Sequence, residues 1–236
     1  MAQRAPLLLK VSGEALKASG DSILQAEMVD RVCGEIIAGA SAEQPVAVVV
    51  GGGNIMRGAS LAGGTEYPAV GDYMGMLATL INALALRDGI RRQGGSSEVV
   101  AAHAIPNVAH RYERDQVMRW LEAGTIVVFG GGTGHPFFTT DTTAALRGAE
   151  IGAAAVLKGS SVDGVYSADP RKDASATRFD HLSFDQAVAG RYAIMDQTAF
   201  ALCRERHLPI RVFDMTEAGA ITAALGDNPP GTLISD

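Results

Sequence analysis

Hydrophobic and polar positions along the chain follow two alternating patterns. Short runs of apolar or β-branched residues, which are typical of strands, occur at residues 7–11, 46–50, 99–103, 126–129, 154–157, 210–213 and 232–234. Apolar residues at helical spacing occur between them, at residues 24–38, 70–84, 117–121, 139–151 and 196–207. This repeated alternation predicts an α/β fold with a mostly parallel central sheet that helices cover on both faces.

The longest helical pattern places its apolar residues on one stripe. The stripe consists of Val70, Met74, Leu77, Ile81 and Leu84. Asp72 is expected in the first turn of this helix, where a carboxylate interacts favourably with the helix dipole. A purely structural role at the helix start therefore competes with a binding role for Asp72.

The composition is that of a folded globular protein. Of the 236 residues, 47% are hydrophobic and 19% charged, and no repeat or clear linker divides the chain, so we expect one continuous fold. The net charge of −6, without a long basic run, argues against a nucleic-acid-binding face. No uninterrupted apolar stretch approaches the roughly 18 residues of a membrane span. Cys33 and Cys203 have no metal-binding pattern around them, and we expect them to pack as small hydrophobic residues of a cytoplasmic protein.

Three clusters rich in glycine or charge follow predicted strands. They comprise residues 10–14, residues 51–54 with Arg57 just beyond, and residues 130–134 with a Thr-Thr-Asp sequence at 139–141. Ligands of open parallel sheets bind at the carboxyl ends of the strands. We therefore expect the three clusters to meet at one edge of the sheet and to line a single site.

The clusters have the chemistry of a site for phosphate groups. Backbone N–H groups of glycine turns and helix N-termini attract anions, and Lys10 and Arg57 supply full positive charges. Phosphoryl transfer depends mainly on positioning and charge stabilisation, which such a pocket provides. The sequence contains no Walker motif, no HExxH and no GxSxG, and no GxGxxG opens the first helix. These features predict a phosphate-transfer site built from glycine-rich strand ends.

Each feature also has an ordinary structural explanation. A glycine triplet can be only a tight turn, Arg57 can pair with a surface carboxylate, and Thr139 can simply cap a helix. Phe137 and Phe138, taken alone, fit a core position better than a base-stacking role. The residues alone therefore support a generic phosphate site and do not name its ligands.

Six segments, in order along the chain, resemble the bacterial UMP kinases of the amino acid kinase superfamily. They are KVSGEAL at 10–16, GGGNIMRG at 51–58, GDYMGMLAT at 71–79, GGTGHPFFTTD at 131–141, VDGVYSADP at 162–170 and PIRVF at 209–213. The match covers nearly the whole chain. The third and fourth segments are the most specific to this branch of the superfamily.

The resemblance implies a fold, a reaction and an assembly. The fold is the amino acid kinase fold, an αβα sandwich, as a single domain over residues 1–236. The reaction is transfer of the γ-phosphate of ATP to UMP, giving ADP and UDP in pyrimidine nucleotide biosynthesis, with Mg²⁺ accompanying the ATP. The implied assembly is a cytoplasmic homohexamer, in a family whose bacterial members are often activated by GTP and inhibited by UTP, without nucleic-acid or membrane partners.

The resemblance also assigns the site residue by residue. It implies ATP binding by Lys10, Ser12, Gly13, Gly53, Arg57, Ser160, Tyr166 and Asp169. It implies UMP binding by Gly52, Asp72, Thr133, Gly134, His135, Pro136, Phe137, Phe138, Thr139 and Thr140. The groups that it places at the transferred phosphate are Lys10, Arg57, Asp141 and Lys158. It gives no metal ligands.

The expected mechanism has no protein nucleophile and no covalent intermediate. An oxygen of the acceptor phosphate attacks the γ-phosphorus directly and in line, and it is already ionised at neutral pH, so no general base is required. Positive charges at the site, Mg²⁺ and the glycine N–H groups would neutralise the charge that develops.

Two alternatives stay open. One is another amino acid kinase that phosphorylates a carboxylate or carbamate, against which Asp72 and residues 133–140 argue. The other is an ATP-binding relative of the molybdenum storage proteins, against which Asp72 argues together with Lys10 and Arg57.

The chain departs from the family pattern at three places. Ser161 replaces a common Lys, His135 replaces a common Asn, and residues 104–112 match loosely. None of these departures removes a proposed transfer residue.

Overall fold

One sheet forms the centre of the fold. The computed structural model describes residues 4–18, 22–56 and 67–236. The strands of these residues are β1 Leu7–Val11, β2 Val46–Val50, β3 Ser97–Ala101, β4 His110–Arg111, β5 Ile126–Gly130, β6 Ala155–Ser160, β7 His181–Leu182, β8 Ile210–Asp214 and β9 Thr232–Ile234. They form a sheet of order β4-β3-β5-β2-β1-β6-β8-β9-β7. Each described pair of neighbours is parallel except the antiparallel β8–β9, which confirms the predicted mostly parallel sheet.

Helices cover both faces of this sheet. The helices of the described residues are α1 Ala26–Gly39, α2 Pro68–Arg92, α3 Arg114–Glu122, α4 Thr140–Ile151, α5 Phe184–Ala189, α6 Gln197–Glu205 and α7 Ala220–Leu225, with a short 3-10 helix at Gly13–Leu16. Helices α1, α2 and α7 pack on one face, and α3 to α6 pack on the other. Successive strand residues such as Leu8 and Leu9 contribute to opposite cores because strand side chains alternate in direction. The αβα arrangement is therefore confirmed.

The central strands explain why the sequence carries continuous apolar runs. All five residues of β2 are buried, since β1 and β5 flank this strand and helices cover both of its faces. Strand β1 pairs with β6 in a register that places Lys10 beside Lys158. Both residues stand near the carboxyl ends of their strands, so two lysines reach the same edge of the sheet.

Helix α2 begins earlier than the sequence analysis expected. Its first residue is Pro68, and Tyr67 is the N-cap residue. Asp72 is thus the fifth residue of the helix, and the expectation that it lies in the first turn is wrong. Because the effect of the helix dipole falls off within that turn, the dipole is a weak explanation for a carboxylate at this position.

The apolar stripe of α2 faces outward in the single chain. Val70, Leu77 and Ile81 are 43%, 58% and 47% exposed, whereas Leu86 and Ile90 on another side of the helix are fully buried. The stripe predicted the helix correctly, but four of its five residues are exposed, and only Leu84 packs against the core beside the sheet. By length and composition alone, the stretch Ala69–Arg92 could also cross a membrane, a weak criterion that the core helices of soluble proteins also meet.

Candidate active site

A cluster of three charged side chains lies at the carboxyl ends of the central strands. Lys10 Nζ lies 2.8 Å from Asp141 Oδ1, and Lys158 Nζ lies 2.7 Å from Asp141 Oδ2. The side chains of Lys10 and Asp141 are each 13% exposed, and that of Lys158 is 17% exposed. Lys158 also donates a hydrogen bond to the carbonyl of Ile194. The cluster therefore holds two cations against one carboxylate.

Asp141 owes its position to the start of α4. The Thr139 side chain caps this helix by accepting hydrogen bonds from the N–H groups of Asp141 and Thr142, at 3.0 and 3.4 Å. Asp141 therefore stands in the first turn, where the helix dipole also favours a carboxylate. The cap predicted for Thr139 is confirmed. The capped helix start also places the carboxylate of Asp141 at the edge of the sheet.

The electrostatics of the cluster keep Asp141 ionised. Burial raises the pKa of its carboxyl group, but the charges of Lys10 and Lys158 outweigh burial and hold the pKa below the ordinary value of 3.8. Its Oδ1 has no hydrogen-bond partner of good geometry, although Lys10 Nζ is close. The carboxylate thus holds Lys10 through charge and Lys158 through both charge and a 2.7 Å hydrogen bond, and N–H donors are left on both ammonium groups for an anion.

Two glycine-rich loops approach each other beside this cluster. Gly51 donates its N–H to the carbonyl of Val11 at 2.9 Å, so the loop after β2 runs directly against the end of β1. A Cβ atom on Gly52 would lie 2.9 Å from both Ala78 Cβ and Gly75 O of α2. Any side chain at position 52 would collide with α2, so glycine is required there. The backbone of this loop therefore packs closely against α2 at the strand ends.

A third glycine-rich segment follows β5. Gly131, Gly132 and Gly134 have φ values of 74°, 58° and 85°, in the left-handed region that glycine adopts without strain. The N–H of Gly131 donates to Thr79 Oγ1 of α2 at 2.7 Å. This segment therefore turns sharply after its strand and is tied to the helix that carries Asp72.

Asp72 meets the loop between β5 and α4. Its Oδ2 accepts a hydrogen bond from the N–H of Phe137 at 2.9 Å. Phe137 has a φ of 71°, which is uncommon for a residue with a side chain, and its side chain is 75% exposed. Phe138 is 47% exposed, so the expectation that these two rings belong to the core is wrong. Their exposure leaves two aromatic faces available beside Asp72.

The other predicted residues of this loop are also found between β5 and α4. The loop brings together Thr133, Gly134, His135, Pro136, Phe137, Phe138 and Thr139, and Thr140 opens α4. Thr133 Oγ1 accepts from the N–H of His135 at 3.2 Å, which closes a small turn within the loop. The segment is thus one continuous loop, with its two ends fixed by β5 and α4.

The residues predicted on the ATP side fall into two groups. Ser12 and Gly13 follow β1 directly, where Ser12 is the N-cap residue of the short 3-10 helix, and Ser160 ends the neighbouring β6. Tyr166 and Asp169 lie on the long loop after β6, and their hydrogen bonds are local: Tyr166 Oη donates to Asp163 at 2.7 Å, and Asp169 accepts from the N–H of Arg171 at 3.0 Å. Only the first group adjoins the lysine cluster.

Arg57 lies outside the described residues. Gly53, four residues earlier, stands in the turn after β2. The role predicted for Arg57 therefore stays a prediction that rests on the sequence alone.

The sequence analysis did not identify Asp196 as a site residue. Its carboxylate accepts hydrogen bonds from the hydroxyl groups of Thr139 and Thr142, and it caps α6 by accepting from the N–H of Ala199 at 2.9 Å. It thereby joins the starts of α4 and α6. An aspartate at the start of a helical pattern can be identified in the sequence as a helix cap. Its contact with Thr139, 57 positions away, cannot be identified from the sequence.

A large groove lies next to the cluster but does not contain it. The groove between α5 and α6 has a volume of about 1270 Å³, and its lining includes Tyr192, Met195, Asp196 and Phe200. Its link to the cluster is indirect: Asp196 lines the groove and accepts a hydrogen bond from Thr139, which caps the helix that carries Asp141. We place the candidate site at the strand ends, because the buried charges and the glycine loops meet there.

Comparison with known proteins identifies the family of this chain. The model of the amino acid kinase family matches residues 6–214. The chain belongs to the amino acid kinase family. A uridylate kinase of Nitrobacter hamburgensis is 48% identical to it over 229 residues, which are 97% of this chain and 96% of that protein.

Two solved structures share the architecture of the whole chain. The UMP kinase from Ureaplasma parvum is 32% identical with a TM-score of 0.93, and each chain is covered completely. The UMP kinase from Bacillus anthracis is 33% identical with a TM-score of 0.93, covering 100% of this chain and 97% of that one. The predicted membership in the bacterial UMP kinase branch is therefore confirmed.

The described residues of this family member do not form a metal cage. They contain no group of three or more His, Cys, Asp or Glu side chains that could hold a metal ion. The carboxylate at the centre of the site, Asp141, already faces two lysines.

Proposed function

We propose that this protein transfers the γ-phosphate of ATP to UMP, producing ADP and UDP. The observation that carries the proposal is the Lys10–Asp141–Lys158 cluster at the carboxyl ends of the parallel strands. The similarity to proteins named uridylate kinase and UMP kinase over nearly the whole chain supports the choice of substrate. The pathway served would be pyrimidine nucleotide synthesis.

The proposed mechanism is a direct in-line transfer. The phosphate of UMP has a second pKa of about 6, so at pH 7 its oxygen is largely ionised and attacks without a general base. Lys10 and Lys158 would donate hydrogen bonds to the transferred group and neutralise its growing charge. Asp141 would hold both ammonium groups at the strand edge, and Arg57 would add a third positive charge.

The donor nucleotide would lie along the ends of β1 and β6. Ser12, Gly13 and Gly53 would present backbone groups to the ATP phosphates, and Ser160 marks the start of the adenosine side. Tyr166 and Asp169 would reach the adenine and ribose from the loop after β6. Mg²⁺ would arrive on the phosphates of ATP.

The acceptor nucleotide would lie between α2 and residues 133–140. Gly52 would approach its phosphate, and Asp72 would accept hydrogen bonds from the ribose hydroxyl groups, since a carboxylate has acceptor capacity beyond its bond to Phe137. The exposed rings of Phe137 and Phe138 are positioned for contact with the uracil. Positive charge at the strand ends and an aromatic loop beside Asp72 together suit a nucleoside monophosphate.

The assembly we propose is a homohexamer of single-domain subunits. The exposed apolar stripe of α2 supports association, because large apolar patches on a soluble chain commonly mark contact surfaces. Activation by GTP, inhibition by UTP and a cytoplasmic location are the remaining parts of the proposal.

A coupled assay of ADP release tests the proposed reaction. The purified protein is supplied with ATP and Mg²⁺, and with UMP, CMP or acetylglutamate as acceptor. UMP-dependent release of ADP, at least ~10-fold above the other acceptors, is expected because the site fits a uridine nucleotide. Turnover with acetylglutamate in place of UMP would identify another amino acid kinase. ATP binding without any acceptor-dependent release would indicate a storage function.

A further inference from the structure

Two asparagine side chains form a buried amide pair beside the glycine loops. Asn82 of α2 is completely buried, and Asn54, after β2, is 7% exposed. Asn82 Nδ2 donates to Asn54 Oδ1 at 2.7 Å, and Asn54 Nδ2 donates to Asn82 Oδ1 at 3.2 Å. The two amides therefore bond to each other in both directions.

The remaining donors of the pair hold two backbone carbonyls. Asn82 Nδ2 donates to Gly51 O at 2.6 Å, and Asn54 Nδ2 donates to Ile23 O at 2.7 Å. Carbonyl oxygens only accept hydrogen bonds, so these two contacts fix which end of each amide carries the nitrogen. Every N–H of both amides is used. Such a fully satisfied buried network is rigid and tolerates few other arrangements.

The pair also touches the loop after β1. A Cβ atom on Gly13 would overlap Asn54 Oδ1, and it would lie 2.7 Å from Gly51 O and 3.0 Å from Asn82 Nδ2. The backbone of Gly13 thus rests directly on the amide pair. The pair thereby joins α2, the loop after β2 and the loop after β1.

We propose that Asn54 and Asn82 are positioning residues, which set the spacing between Gly13, in the loop after β1 that would bind ATP phosphates, and Gly52, in the loop after β2 that would approach the UMP phosphate. The inference rests on the proposed function, because it uses the assignment of Gly13 to the donor and of Gly52 to the acceptor. Both amides are buried and all their N–H groups are used, so we assign them no direct contact with either nucleotide. They act by fixing Gly51 O and by forming the surface on which Gly13 rests, so they govern the alignment of the two phosphates.

The substitution Asn82→Asp tests this inference with almost no change in shape. It replaces two N–H donors by an oxygen that faces Gly51 O and Asn54 Oδ1, and their repulsion should separate the loops. We expect kcat to fall at least ~10-fold, because a displacement of about 1 Å can cost ~10²-fold in rate. The KM values for ATP and UMP should stay within about threefold of the wild type, since each loop keeps its own contacts.

The substitution Ser97→Ala is the matched control. Ser97 is also buried and donates to the carbonyl of Arg87 at 3.0 Å, but it begins β3, at the opposite end of the strands. Its removal should lower the thermal unfolding midpoint and leave kcat within about twofold of the wild type. Loss of kcat in Asn82→Asp but not in Ser97→Ala, with both variants assayed well below their unfolding midpoints, supports positioning.

Other outcomes separate the inference from the proposed function. If the wild type turns over UMP and Asn82→Asp keeps its kcat, the positioning inference is wrong while the proposed function stands. If the wild type does not turn over UMP, the proposed function itself fails. Should Asn82→Asp not fold, Asn54→Ala replaces it, since this variant keeps the bond from Asn82 to Gly51 O. An unchanged kcat in Asn54→Ala would then overturn the inference.

Discussion

The two sides of the candidate site are held in very different ways. The Lys10–Asp141–Lys158 cluster is mostly buried and is fixed by a sheet register, a capped helix and two ion pairs. The loop with Phe137 and Phe138 is exposed, and a hydrogen bond from Phe137 ties it to Asp72. Under the proposed function, rigid elements would hold the charges that act on the transferred phosphate, whereas an exposed loop would recognise the acceptor. Electrostatic catalysis requires preorganised charges, and recognition of a nucleoside tolerates adjustment.

The largest effect should come from the centre of the buried cluster. Asp141→Asn removes the charge that holds both lysines, and we expect kcat to fall by about 10²–10³-fold, the typical cost of losing a preorganised charge contact. Steady-state kinetics with UMP and ATP measures this. The control is Asp88→Asn, which removes an exposed carboxylate 3.0 Å from Arg92 and should leave kcat unchanged. Similar losses of kcat in both variants would mean that the cluster contributes no more to catalysis than an exposed ion pair does.

The next effect concerns Arg57, which the sequence places with the charged side of the site. Arg57→Ala should lower turnover at least ~10²-fold if its guanidinium stabilises the transferred phosphate. Arg57→Lys should recover part of this loss, because it restores the charge without the bidentate geometry. Single-turnover kinetics under saturating nucleotides is the measurement. A change below about threefold in Arg57→Ala would exclude Arg57 from the reacting centre.

A smaller effect is expected on the acceptor side. Asp72→Asn retains an oxygen that can accept from the N–H of Phe137 but loses the charge that favours ribose hydroxyl groups. We expect the KM for UMP to rise by about tenfold while the KM for ATP stays nearly constant. Asp72→Ala also loses the anchor of the loop and should raise the KM further. An equal rise in the KM values for UMP and ATP would show that Asp72 supports the fold and does not bind the acceptor.

The smallest effect is a pH dependence of stability. The pKa of Asp141 is lowered in the folded protein, so its ion pairs contribute stability that is complete above the ordinary carboxyl pKa of 3.8 and is lost as pH falls through the lower folded value. The wild type should therefore be more stable than Asp141→Asn near neutral pH, and the gap should close below about pH 4. Denaturant titrations between pH 7 and pH 3 measure the difference in the free energy of unfolding between the two proteins. A gap that stays constant into acid would mean that the ion pairs do not stabilise the fold.

The sequence predicted the elements whose signal is local. The buried run of β2 was identified at its true bounds because such a strand needs apolar residues on both faces. The start of α4 was also identified, since Thr139 is a strong capping residue. Strands β4 and β7 have two residues each and exist only through their partners, so no local pattern could reveal them.

The parts that were missed depend on contacts between distant residues. The exposure of Phe137 follows from a left-handed turn and a bond to Asp72, 65 positions away. The amide pair of Asn54 and Asn82 joins segments 28 positions apart. The exposed position of the α2 stripe was also missed. Helical periodicity shows that a helix has an apolar side, but it does not show whether the sheet or another surface covers that side.

The neighbouring positions of Lys10 and Lys158 also bear on how the sheet selects its register. Two ammonium groups side by side on adjacent strands repel each other, and Asp141 makes this pairing acceptable. A one-residue slip of β1 would turn Lys10 into the apolar core beneath α1 and α2, where Leu9 and Val11 belong, and would leave its charge without a partner. The charges assigned to phosphate transfer therefore also penalise misaligned strands, so a chain that folds in the wrong register loses stability and its reactive centre together.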